Sequence, residues 1–134
     1  MTRRYRIDPA QDLPIITVKL SGKGRIYKAK VIFDSGAACT QFDTLVIDRL
    51  GYSAADGHAL ASAHGPAGPI QEGYLIKIDE LTVLGKRFSQ PIIAAYDFDN
   101  LENLGIDGLL GYDIIKQLHF ELDGPKSSLT VFDE

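Results

Sequence analysis

Val31-Ile32-Phe33-Asp34-Ser35-Gly36-Ala37-Ala38 places an ionisable carboxylate directly after three large apolar residues. Such a run reads as the end of a buried strand. Taking a charge out of water costs on the order of several kcal/mol unless the charge is paired or neutralised, so Asp34 calls for an explanation. Ser35 adds a short hydroxyl, and Gly36 permits a tight turn with close backbone approach. Two readings fit. Asp34 is either a group held ready for chemistry, or the cap of an ordinary Asp-Ser-Gly turn. The stretch alone leaves both open.

Outward from Asp34, period-two patterning predicts β structure. From Ile26 to Phe33, Lys28 and Lys30 share one face, while Tyr27, Ala29, Val31 and Phe33 share the other. Ile15 to Leu20 reads as a partner strand, joined through the turn composition Ser21-Gly22-Lys23-Gly24. These glycines match no phosphate-loop pattern. Downstream, Asp43 to Leu50 is a short helix capped by Asp43, with Leu45, Val46 and Leu50 as its apolar face and Gly51 ending it. Residues 56 to 72 carry Gly57, Gly65, Pro66, Gly68 and Pro69, the composition of an exposed, mobile hairpin or loop. Tyr74 to Ile78, Leu81 to Leu84 and Pro91 to Tyr96 follow as strands, with Gly85-Lys86 as a turn. After a polar loop from Asp97 to Gly105 come the buried run Leu109-Leu110-Gly111, a helix from Asp113 to Leu118 capped by Asp113, and strands at Phe120 to Leu122 and Ser128 to Phe132. Many short strands, glycine-rich turns and two brief helices predict a small mainly-β barrel or sandwich.

The composition agrees. The chain of 134 residues is 45% hydrophobic and 24% charged, proportions of a soluble globular domain rather than a disordered or fibrous one. One cysteine, Cys39, excludes an internal disulfide framework and suits a reducing compartment. No apolar run approaches the ~20 residues of a membrane-spanning helix. Arg3-Arg4 invites comparison with a twin-arginine signal, but Asp8, Pro9, Gln11, Asp12 and Pro14 leave no apolar stretch behind it. A cytoplasmic location without membrane contact is the expectation. The net charge of -4 disfavours a nucleic-acid partner, although residues 1 to 30 hold 8 basic and 2 acidic side chains.

A second segment, Ile106-Asp107-Gly108-Leu109-Leu110-Gly111-Tyr112-Asp113-Ile114-Ile115, places a paired apolar run before a glycine and a short helix. With Asp34-Ser35-Gly36-Ala37 upstream and a glycine-containing stretch between, the chain resembles the retropepsin-type aspartic proteases. The resemblance runs from about Ile15 to Val131 and rests on the order and spacing of these segments more than on the Asp-Ser-Gly-Ala string. It implies a mainly-β, retropepsin-like acid protease barrel with two short helices and one lobe per chain. Residues 15–134 would form that single domain, behind a loose N-terminal segment over 1–14. It also implies an aspartic endopeptidase acting on peptide or protein substrates without cofactor or metal, with Asp34 as its catalytic residue. By the same resemblance, Ser35 would bond across the floor of a dimer and hold two carboxylates coplanar. Gly36 would present open backbone, and Ala37 would meet substrate. Ala63, His64 and Gly65 would belong to a flap, although Pro66 and Pro69 each remove a ladder donor there. Ala37, lacking the hydroxyl of pepsin-like relatives, implies a less acidic working range.

The chemistry of the family needs two carboxylates about 3 Å apart that share one proton, one acting as acid and one as base. This chain has one Asp-Ser-Gly; Asp56-Gly57, Asp107-Gly108 and Asp123-Gly124 lack the intervening hydroxyl. A homodimer bringing Asp34 against Asp34 of its partner therefore follows from the enzyme reading. The rival reading is a non-proteolytic dimerisation or peptide-binding module with the same fold. A third is a monomeric β domain in which Asp34 merely caps a turn. Other candidate sites carry less. Cys39 sits in Ala-Ala-Cys-Thr without a thiol-protease pattern and reads as a small buried residue. His58, His64 and His119 have no metal-ligand spacing, and His119 reads as partly buried beside Phe120. Asp97, Asp99 and Glu102 fail the calcium-loop pattern and read as a solvated acidic loop.

Overall fold

The computed structural model describes residues 2–63, 71–98 and 105–133. In chain order its elements are β1 (Thr2–Arg6), β2 (Ile15–Gly22), β3 (Arg25–Phe33), β4 (Gln41–Asp43), α1 (Thr44–Arg49), a single 3-10 turn (Ala54–Asp56), β5 (Ala59–Ala63), β6 (Gln71–Lys77), β7 (Glu80–Val83), β8 (Lys86–Ser89), β9 (Ile92–Tyr96), β10 (Gly108–Leu110), α2 (Tyr112–Ile115), β11 (Phe120–Asp123) and β12 (Ser128–Phe132). Among the described residues, nine strands form one curled, half-barrel sheet in the order β5-β6-β9-β4-β10-β3-β2-β7-β8, and three form a small sheet in the order β1-β12-β11. The mainly-β barrel with two short helices read from the sequence is the fold that forms.

The β2–β3 hairpin turns on Lys23-Gly24 alone, with Gly22 paired to Arg25. Both turn residues have positive φ (50° and 74°), the backbone whose twist matches the flanking strands. The apolar sides of β2 and β3 supply Val18, Leu20, Ala29, Val31 and Phe33 to the main core, beside Phe42, Ile47, Leu50, Ile76, Leu81 and Leu110. Each of the larger side chains contributes roughly 1.5–3 kcal/mol by leaving water. Asp43 does cap α1, its Oδ1 accepting the Leu45 N–H at 3.0 Å. Gly51 ends the helix at φ 92°. The buried face is Val46, Ile47 and Leu50, whereas Leu45 is half exposed, so the expected apolar face is rotated by one position.

Three other expectations are corrected. The N-terminal segment is not loose over its whole length: Thr2 to Arg6 pair residue for residue with Phe132 to Ser128. Three arginines hid this strand, but alternation turns Arg3 and Tyr5 inward and Arg4 and Arg6 outward. The Gly85-Lys86 turn lies one residue earlier, at Leu84-Gly85, and β8 follows it. Asp113 does not cap α2; the cap position is Gly111, and Asp113 lies in the first helical turn. No helix among the described residues is long and apolar enough to cross a membrane.

Candidate active site

The site is built where β10 inserts between two strands that are neighbours in sequence. β3 and β4 flank the segment 34–40. β10 pairs in parallel with β3, Leu110 opposite Phe33, and antiparallel with β4, Leu109 opposite Gln41. The segment therefore leaves the sheet on one side of β10 and returns on the other. Only a narrow strand fits there: a Cβ on Gly108 would lie 2.1 Å from the Gln41 carbonyl oxygen, and one on Gly111 2.4 Å from the Cys39 carbonyl carbon. This close approach accounts for the glycine that follows Leu109-Leu110.

Asp34 is the first residue past β3, so the carboxylate stands just beyond the strand rather than inside it, half buried. Its backbone N–H donates to the Leu110 carbonyl at 3.0 Å, and its own carbonyl accepts the Ala37 N–H at 3.2 Å. Oδ1 accepts the Gly36 N–H at 2.9 Å. The turn-capping bond posed by one of the two sequence readings is therefore present. Ser35 and Gly36 are exposed at the apex and Ala37 is half buried, its carbonyl accepting the Tyr112 N–H at 2.7 Å. The structure gathers Asp34, Ser35, Gly36 and Ala37 into one surface turn.

Ala63 is the last residue of β5, paired with Gln71 of β6. The stretch expected as a hairpin or loop therefore has strand arms, joined to the sheet through β6 and β9. His64 and Gly65, with Pro66, Gly68 and Pro69, lie outside the described residues, as do Asp99 and Glu102 of the acidic loop. Cys39 is half buried rather than buried; with Leu75 it packs on a second small cluster of Ala94, Tyr96 and Phe98. Burial, with Cys39 adding to it, pushes the Tyr96 phenol up. His119 is exposed rather than partly buried, and its ring lies 4.8 Å from that of Phe132. Among the described residues no three His, Cys, Asp or Glu side chains gather as a metal site.

Two residues that sequence reasoning missed complete the turn. Thr40, fully buried, donates its Oγ1–H to Asp113 Oδ1 at 2.8 Å and its N–H to Asp113 Oδ2 at 3.1 Å. Thr40 Oγ1 in turn accepts the Gly111 N–H at 3.1 Å. No local pattern announces a pair 73 positions apart.

The sequence profile described as aspartyl protease matches residues 16–114. No curated protein sequence matches significantly. Among solved structures, a retropepsin-like aspartic protease from Rickettsia conorii is similar with a TM-score of 0.71 and 17% identity, over 98% of this chain and 91% of that one. The EIAV protease, complexed with the inhibitor HBY-793, gives 0.58 and 18% over 81% and 89%. The retroviral protease-like domain of Ddi1 from Leishmania major gives 0.55 and 16% over 90% of each chain. At these identities the structural likeness establishes the fold. The profile match, spanning most of the chain and enclosing both Asp34 and the β10 segment, establishes that this chain belongs to the aspartyl protease family, with a retropepsin-like fold.

Proposed function

We propose that the chain is one half of a homodimeric aspartic endopeptidase, with Asp34 of each copy forming the catalytic pair. The observation that carries this reading is a half-buried Asp34 carboxylate on a surface turn that β10 fixes from behind, in a chain with no second Asp-Ser/Thr-Gly. In the dimer, the ionised carboxylate takes a proton from water as its oxygen attacks the scissile carbonyl carbon. The protonated carboxyl donates to the carbonyl oxygen. Collapse of the tetrahedral intermediate breaks the C–N bond and the nitrogen leaves protonated. The exposed Ser35 is available to bond across the two-fold axis, and the Gly36 N–H already holds one carboxylate oxygen. Ala63, His64 and Gly65 would contribute to peptide binding, as the family resemblance implies.

The test is cleavage of a mixed peptide library from roughly pH 2 to 8, with Asp34→Ala alongside. Sedimentation would give the dimer concentration. Cleavage by the wild type alone supports the proposal, and a rate maximum near about pH 2 would contradict the argument from Ala37. No cleavage by a demonstrated dimer turns the reading to a peptide-binding module, and equal cleavage by both proteins removes Asp34 from the chemistry.

A further inference from the structure

We propose that Asp113 and Thr40 are positioning residues, a clamp that sets the Asp34 turn at its catalytic geometry; this rests on the endopeptidase reading above. Within the turn, the Gly36 and Ala37 N–H groups bond back to Asp34, but Ser35, Gly36 and Ala38 are exposed and supply no packing. What fixes the turn is a set of contacts to the segment 110–113. Leu110 holds Asp34 at the start, Tyr112 holds Ala37 in the middle, and Asp113 holds Thr40 at the end.

The last contact has the most demanding chemistry. Every polar atom of the buried Thr40 is committed: N–H to Asp113 Oδ2, O–H to Asp113 Oδ1, Oγ1 lone pair to the Gly111 N–H, and carbonyl to the Ala94 N–H. Asp113 must present two acceptor oxygens at once, which an ionised carboxylate does and an amide cannot. An asparagine would turn its NH2 group against one of the two Thr40 donors. Asp113 thereby links three things: β4 through Thr40, the β10 end through Gly111, and α2, of which it is part. A shift of this segment moves the Asp34 carboxylate directly, since Thr40 closes the same short turn.

The experiment compares wild type, Thr40→Ser, Thr40→Val and Asp113→Asn, with Asp34→Asn as the chemically dead control. Peptide hydrolysis is normalised to active sites titrated with a tight-binding peptide carrying a secondary alcohol in place of the scissile bond. Amide hydrogen exchange over residues 34–40 is followed in parallel, with residues 15–22 as the reference. Thr40→Val and Asp113→Asn are expected to lower kcat per titrated site about 10- to 100-fold with KM little changed, the loss typical of a misplaced catalytic group. Both should speed exchange at 34–40 while 15–22 keep their protection. Thr40→Ser, which retains both donors, should match the wild type. Unchanged kcat per titrated site overturns the proposal, and so does exchange that rises equally in both segments, since that is global destabilisation. A wild type no more active than Asp34→Asn defeats the endopeptidase reading instead. The exchange data then decide separately whether the clamp holds the turn, and Thr40→Val still reads if Asp113→Asn does not fold.

Discussion

Asp34 and Asp107 stand at opposite ends of the same short parallel ladder between β3 and β10. Asp107 enters it, its N–H donating to the Lys30 carbonyl, and Asp34 leaves it, its N–H donating to the Leu110 carbonyl. Their carboxylates have different employment. Asp107 reaches across to β3, accepting the Lys30 N–H at 2.9 Å and the Tyr27 hydroxyl at 3.5 Å, while its carbonyl accepts the Asp43 N–H. Asp34 accepts from Gly36, inside its own turn, next to an exposed Ser35. The backbone situation is nearly shared, so position at the ladder end does not by itself distinguish the proposed catalytic Asp34 from Asp107. What differs is whether the facing donors belong to another strand or to the turn itself.

The sharpest way to break this comparison is Asp34→Asn, which should cost at least about a thousandfold in peptide cleavage because it removes the acid–base pair. Its effect on stability should stay within ~0.5 kcal/mol, as for other substitutions away from a packed network; thermal unfolding checks the second half. Gly111→Ala tests the strand between the two aspartates. Its methyl group would meet the backbone of Cys39 and Thr40 at under 3 Å, so overpacking of about 1–3 kcal/mol or more is expected, together with loss of activity. Asp107→Asn should do the converse of Asp34→Asn, lowering stability by about 1 kcal/mol while leaving kcat per folded molecule unchanged. Urea unfolding and active-site titration on the same sample would read both.

The smallest effect sharpens the contrast from a third aspartate, remote from the ladder. The Ser53 N–H, donating to Asp56 Oδ2 at 2.9 Å, holds this carboxyl below its ordinary range, with help from Lys23. A lowered folded-state value means that the contribution is present above the unfolded value of about 3.9 and is lost as pH falls through the folded one. Asp56→Asn should therefore lower Tm slightly at neutral pH, and the difference should close only once pH has fallen below the lowered folded-state value. A gap that persisted there would assign the loss to packing.

Much of this was legible in the sequence because it is local. The alternation along β3, the carboxylate at its end, the Asp43 cap and the Leu-Leu-Gly run each need only neighbouring residues to be recognised. β1 and β8 were not legible, since Thr-Arg-Arg-Tyr-Arg and Lys-Arg-Phe-Ser carry few apolar residues and gain strand character from the partners they find. Asp113 was misread for a related reason. An aspartate before Ile-Ile at a helix start satisfies every local rule for a cap, and its actual use depends on a threonine far along the chain. The half exposure of Asp34 was equally out of reach, because it depends on where β3 stops relative to β10.

The insertion of β10 between β3 and β4 also governs when the site comes into being. The contacts that shape the Asp34 turn, from Leu110 to Asp34, Tyr112 to Ala37 and Gly111 and Asp113 to Thr40, each span more than 70 positions, so the residues proposed to carry the chemistry are made early and organised late. Closing such long loops before any contact rewards them slows folding, and chains dominated by non-local strand pairs fold in roughly milliseconds to seconds. A nascent chain that has not yet extended past Asp113 holds Asp34 without its geometry. Hydrolytic competence would then appear only on completion of the domain, and a truncated product would carry the aspartate and remain inert.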